Sequence, residues 1–201
     1  MAVLIPPLFQ LVKAAIREKI LRLRKGLRFD QIRAWSAEIS LNLFSLEEYL
    51  QSRNVLYFLS LEREVQTGEM IERALGMGQK VFVPIVDREA GELKITGLPG
   101  LDIEFDAGPY GIREPARSFW DLVSPEVLDC IVAPGLAFDL RGGRIGYGAG
   151  YFDDLFLKVN PKAHRLAVAF DFQVLDSVPQ TERDVNVEVI VTDKRVLRCK
   201  C

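Results

Sequence analysis

Up to residue 53 the apolar residues recur every three or four positions; beyond it they gather into short continuous runs. In residues 8–28, Leu8, Val12, Ile16, Ile20, Leu23 and Leu27 follow the helical period, and Lys13, Arg17, Arg24 and Arg28 lie on another face. That pattern predicts an amphipathic helix. Asp30 is placed to cap a second helix with Ile32, Trp35, Ile39 and Leu43 on one side. "SLEE" (45–48) has the spacing of a capping box, Ser45 to Glu48, and predicts a further short helix.

The period then changes. "NVLYFLS" (54–60), "KVFVPIV" (80–86), "VLDCIVAPGLAF" (127–138), "RLAVAF" (165–170) and "VEVIVTD" (187–193) are buried-type runs without clean alternation. Residues 67–79 read as a helix with a threonine cap and glycines at its end. Such runs, separated by helical patterns, predict a mostly parallel sheet covered on both faces. "GELKITGL" (91–98) does alternate and predicts an antiparallel or edge strand. Residues 99–118, rich in glycine, proline and acid, read as a long surface loop. No internal repeat or low-complexity linker divides the chain, so residues 1–201 read as one α/β domain.

Composition removes several function classes. A net charge of -2 gives no electrostatic case for nucleic acid. The apolar start "MAVLIPPLFQLV" lacks a basic flank, is broken by Pro6-Pro7 and is too short to span a bilayer, so it reads as a hydrophobic arm. With no other membrane candidate, the expected location is the cytoplasm. Cys130 sits in an apolar run as a small core residue, and Cys199 and Cys201 form a C-x-C pair without a second pair to complete a metal site. Three cysteines so arranged suit a reducing compartment.

One segment carries candidate chemistry. "GRIGYGAGYFDD" (143–154) follows a buried strand and opens a helical pattern, Tyr151/Leu155 and Phe152/Phe156. A glycine loop in that setting offers backbone N–H groups to an anion. Its spacing matches neither the P-loop nor the dinucleotide fingerprint, so a tight strand–helix turn is an equal alternative on these residues alone.

The longer string "APGLAFDLRGGRIGYGAGYFDDLF" (133–156) resembles the signature of the 5-formyltetrahydrofolate cyclo-ligase family. "KAAIR" (13–17), "FLSLEREVQT" (58–67), "GIREP" (111–115) and "VPQTERDVNVEVIVTD" (178–193) are similar to further family segments, in order along nearly the whole chain. The resemblance implies a three-layer α/β/α sandwich with a mostly parallel central sheet, of the NagB/RpiA/CoA-transferase-like kind. It implies ATP-driven, magnesium-dependent closure of 5-formyltetrahydrofolate to 5,10-methenyltetrahydrofolate; a monomer is expected, and charge and hydropathy give no nucleic-acid or membrane partner.

Residue by residue, the resemblance implies that Lys13, Arg17 and the loop Arg144, Ile145, Gly146, Tyr147, Gly148, Ala149, Gly150, Tyr151 and Phe152 bind ATP. Leu59, Glu64 and Tyr147 to Tyr151 then meet the folate, and Asp153 and Asp184 hold magnesium. Glu64 and Arg144 are the expected catalytic groups, Glu64 orienting the folate N10 or accepting its proton and Arg144 neutralising phosphate. His164 is assigned to structure. The chain departs from the family pattern at Ala149, Phe152, Asp154, Arg183 and Glu188. A paralogue acting on another small molecule, and a nucleotide- or folate-binding regulator without turnover, are the alternatives.

Overall fold

The central strands bury both faces, which is why their sequences run without polar alternation. The structure, a computed structural model, describes residues 8–200. The arm at residues 1–7 and Cys201 lie outside the described residues. The helices are α1 (Leu8–Lys25), α2 (Phe29–Leu43), α3 (Glu47–Leu50), α4 (Gly68–Gly76) and α5 (Tyr151–Phe156). The strands are β1 (Asn54–Tyr57), β2 (Lys80–Asp87), β3 (Glu92–Gly97), β4 (Phe105–Ala107), β5 (Arg113–Pro115), β6 (Leu122–Val123), β7 (Cys130–Ala133), β8 (Ala137–Asp139), β9 (Arg144–Ile145), β10 (His164–Val168), β11 (Val174–Leu175), β12 (Val189–Val191) and β13 (Val196–Arg198).

An eight-stranded sheet runs in the order β13-β12-β10-β7-β1-β2-β3-β6. From β12 to β2 all neighbours are parallel; β13, β3 and β6 join antiparallel at the margins. Side chains alternate across this sheet with period two. Val55, Tyr57, Cys130, Val132, Leu166, Val168, Val189 and Val191 pack with α2, α3 and α4. Leu56, Ile131, Ala133, Ala167 and Ile190 pack on the other face with Leu155 and Phe156 of α5 and with Phe138 of β8. The three layers expected from the sequence are present, the second outer layer being formed by one short helix and a three-stranded sheet, β11-β8-β9.

Several local expectations change. The run 127–138 is two strands in different sheets, because Pro134 and Gly135 break it. The segment 99–118 contains the β4–β5 hairpin instead of being loop throughout. The second helix begins at Phe29, with the Arg28 N–H donating to the Gln31 side chain, so Asp30 lies inside the first turn. Ser45 caps nothing: its hydroxyl donates to the Asn42 carbonyl at 2.7 Å, and Leu46 is the N-cap of α3. Thr67 does stand at the N-cap of α4, but its hydroxyl ties back to the Phe58 carbonyl at 2.7 Å.

The largest difference concerns α1. Its expected apolar stripe is partly outside, with Leu8, Val12 and Leu23 exposed. Lys13, Arg17, Ile20 and Arg24 form the inward face, Ile20 and Arg24 being buried. The helix lies against the small sheet, where Ile16 and Ile20 meet Leu136, Ala137, Ile145 and Val178. Its basic side is thereby carried over the glycine loop.

Asp139 organises that small sheet. Its carboxylate is fully buried and accepts from the N–H groups of Arg141, Gly143 and Val178 at 2.9–3.0 Å and from the Arg141 side chain at 2.9 Å. Burial raises its pKa, but these donors outweigh burial and the net shift is downward. Asp139→Ala strands three backbone donors and is expected to cost at least about 3 kcal/mol in urea unfolding. A loss below about 1 kcal/mol would remove Asp139 from this role.

Candidate active site

Chain direction reverses between β1 and β7: from β1 the chain proceeds outward to β2, and from β7 it proceeds the other way to β10 and β12. In open α/β sheets such a reversal opens a crevice beyond the carboxyl ends of the strands, where ligands bind. Residues 58–67, after β1, and 134–136, after β7, border it here. The glycine loop and α1 lie across its mouth.

The β1 side supplies Leu59 and Glu64, both buried. Glu64 Oε2 accepts from the Leu61 N–H at 3.0 Å, and Gln66 braces the same turn through the Leu61 and Glu64 carbonyls. Glu64 Oε1 accepts from the Tyr147 hydroxyl at 2.6 Å and from Arg24 Nη1 at 3.3 Å. Burial, and then the Glu64 carboxylate, push the Tyr147 phenol well above the usual tyrosine range. The ring of Tyr147 is half exposed while its hydroxyl is sunk between Glu64 and Arg24.

A second region lies toward the start of α1. An open cleft of about 1060 Å³ is lined by Lys13, Arg17, Gly148, Thr181 and Arg183 among others, a size suited to a nucleotide-scale ligand. Lys13 Nζ meets Asp184 Oδ2 at 2.7 Å, and Arg17 Nε donates to the Gly146 carbonyl at 2.9 Å. Asp184 Oδ2 also accepts from the Thr181 N–H at 2.5 Å and from its hydroxyl at 3.0 Å. Burial raises the Asp184 pKa; Lys13 and Thr181 more than reverse this, leaving it below the ordinary range.

The loop between the two regions needs its glycines at particular points. Gly148 has φ +114° beside the Arg17 guanidinium, and Gly150, the N-cap of α5, has φ +78°; other residues adopt this left-handed region at a cost. Ala149 is exposed between them. Tyr151 is half-buried, and a hydrogen bond with Tyr110 raises its pKa.

Three of the expected nucleotide contacts sit differently. Arg144 does not line the cleft. Strand alternation in β9 turns it under α5, where its guanidinium is buried 5.7 and 5.5 Å from the ring centroids of Phe152 and Phe156 and 3.0 Å from Asp153 Oδ2. The same alternation sends Ile145 into the core against α1. Phe152 packs against both faces of the core. Ile145 is buried, its carbonyl accepting from the Leu136 N–H, whereas Phe152 keeps part of its surface exposed.

Asp153 Oδ1 accepts from the Val185 N–H at 3.1 Å, which brings it beside Asp184 in the next turn of chain. No group of three or more His, Cys, Asp or Glu able to hold a metal occurs among the described residues. Two neighbouring carboxylates nevertheless suit magnesium, which commonly takes one or two and completes its shell with water and phosphate oxygens. The three hydrogen bonds on Asp184 all fall on Oδ2, so Oδ1 is the oxygen a cation would find. Asp154 is exposed in the first turn of α5. Glu188 lies apart, pairing with Arg165 at 2.8 Å and with His164 at 3.4 Å.

Arg24 was absent from the expected site. It stands seven residues beyond Arg17 and eleven beyond Lys13, hence on the same helical face. That register was visible in the sequence, where Lys13, Arg17 and Arg24 adjoin the apolar stripe through Ile16 and Ile20.

The family model described as the 5-formyltetrahydrofolate cyclo-ligase family matches residues 10–193. The 5-formyltetrahydrofolate cyclo-ligase of Saccharomyces cerevisiae is 31% identical, over 89% of this chain and 94% of its own length. That of Escherichia coli is 25% identical, over 86% and 96%. Among solved structures, the 5,10-methenyltetrahydrofolate synthetase of Aquifex aeolicus superposes with a TM-score of 0.81 at 32% identity, covering 94% of both chains. With its sequence matched from α1 to the turn after β12, the chain belongs to the 5-formyltetrahydrofolate cyclo-ligase family.

Proposed function

We propose that the chain, as a single domain, cyclises 5-formyltetrahydrofolate to 5,10-methenyltetrahydrofolate with ATP and magnesium, releasing ADP and phosphate. The observation that carries this reading is the shared loop. Residues 146–148 touch Arg17 on the cleft side and Arg24 and Glu64 on the crevice side, so a triphosphate in the cleft and a folate in the crevice would meet along one wall.

In this reading Lys13 and Arg17 bind the phosphates. Arginine offers a planar fork of donors and lysine a point charge. The formyl oxygen attacks the γ-phosphorus and the bond to ADP breaks. The oxygen carries no proton, so that step needs no general base. N10 then adds to the activated formyl carbon and loses its proton, and the C–O bond breaks to release phosphate. A carboxylate has about four lone-pair directions. Glu64 has three in use, and the fourth is free to orient the N10 hydrogen and then receive it. Asp153 and Asp184 would hold magnesium, which neutralises charge on the transferred phosphoryl group. Arg144 acts from beneath by fixing Asp153. The same reading has the protein work as a cytoplasmic monomer on small molecules. No helix among the described residues is long and apolar enough to cross a membrane.

Incubation with 5-formyltetrahydrofolate, ATP and magnesium is expected to give methenyl-folate absorbance, lost when any one component is omitted. Magnesium-dependent ATP binding without product would overturn the folate assignment and favour another small-molecule substrate.

A further inference from the structure

We propose that Arg24 is a positioning residue of this site: it fixes Glu64 and Tyr147 against the end of β7, and so sets the folate-facing geometry. The proposal rests on the reading of Glu64 as the carboxylate that meets the folate.

Arg24 spans the crevice. Its Nη2 donates to the Gly135 carbonyl at 2.6 Å, on the β7 side. Its Nη1 donates to the Tyr147 hydroxyl at 3.0 Å and to Glu64 Oε1 at 3.3 Å, on the loop and β1 sides. One planar guanidinium thus joins the three segments that meet where the sheet reverses. Rigid forked geometry of this kind sets angles as well as distances.

The surroundings are built to receive it. Gly135 has no room for a side chain, since a Cβ there would lie 2.4 Å from the Phe138 ring. Its carbonyl is fixed by a second donor, Gln173 Nε2, at 2.9 Å. Arg24 is 3% exposed, and burying a cation is costly unless it is paired. Ile20, one turn earlier on the same face, meets an apolar patch, so an aliphatic residue at position 24 would fold α1 without that cost. The guanidinium is also incompletely satisfied: Nε is buried with no hydrogen-bond acceptor among the described residues. A buried orphan donor calls for a reason beyond packing. Holding the carboxylate supplies one, because Glu64 is itself 4% exposed and Arg24 is the cation in contact with it.

The role is separable from structural support by coupling. Wild type, Arg24→Met, Glu64→Gln and the double variant are assayed for methenyl-folate formation across folate and ATP concentrations, with thermal unfolding as the check on folding. Arg24→Met is expected to lower kcat/KM for the folate about 10- to 100-fold while KM for ATP stays within about twofold. The double variant is expected to match Glu64→Gln alone, since Arg24 acts through that carboxylate. Should Arg24→Met not fold, Arg24→Lys, which keeps the charge and loses the fork, carries the test through the same folate-against-ATP split. Unchanged folate kinetics, losses that multiply in the double variant, or a parallel rise in KM for ATP would each overturn the proposal while leaving the function intact. A wild type that does not cyclise the folate overturns the function and the proposal together.

Discussion

Lys13→Met is expected to lower kcat/KM for ATP by about 10²–10³-fold, the scale found when one preorganised charge is removed from a reaction that concentrates charge in its transition state. Lys13 lines the cleft from the inward face of α1, beside Arg17 and across from Gly148. It also holds Asp184 at 2.7 Å, so its loss disturbs one of the two carboxylates assigned to the metal. Asp184→Asn is accordingly expected to raise the magnesium concentration for half-maximal activity by at least about tenfold. Unchanged magnesium dependence in both Asp153→Asn and Asp184→Asn would remove the metal assignment.

The same pair has a pH signature in stability. The Asp184 pKa is held down in the folded protein, so its contribution is full above the unfolded carboxylate value, about 3.9, and is lost as pH falls through the lower folded value. The stability gap between wild type and Lys13→Met, about 1–3 kcal/mol for a largely buried charged hydrogen bond, should therefore be full at neutral pH and close below about pH 4. A gap that persists into acid would show that Lys13 acts by packing.

Glu64→Gln is expected to lower turnover at saturating folate by about 10²–10³-fold. The substitution keeps shape but leaves the Arg24 guanidinium buried without its counter-charge, and it removes the acceptor for the N10 proton. Both effects fall on the folate side of the loop, so KM for ATP should be little altered. Turnover unchanged at saturating substrate would mean that Glu64 neither orients nor deprotonates N10.

How much of this was legible depended on which force set each element. The parallel strands were visible because burial on both faces demands apolar runs, as at 54–57 and 80–86. α5 was visible through Tyr151/Leu155 and Phe152/Phe156, and the glycine loop through its composition. α1 was legible as a helix, and the segment "KAAIR" put Lys13 and Arg17 at the site. The hydrophobic pattern did not show that Leu8 and Val12 stay exposed while Ile16 and Ile20 pack inward beside Arg24. The direction of the Arg144 side chain was not legible either. A basic residue in a glycine loop suggests an anion, yet a two-residue strand turned it beneath Phe152 and Phe156. The break at Pro134-Gly135 separates β7 from β8, which no hydrophobic pattern marks, and it creates the carbonyl that Arg24 grips.

The central claim is that the crevice and the cleft act on one reaction, in which the formyl oxygen takes the phosphoryl group. It is tested most directly by turning over 5-formyltetrahydrofolate labelled with oxygen-18 in the formyl group and analysing the released phosphate. The account predicts one labelled oxygen in phosphate for each methenyl-folate formed and each ADP released. Label recovered in water, with unlabelled phosphate, would contradict it.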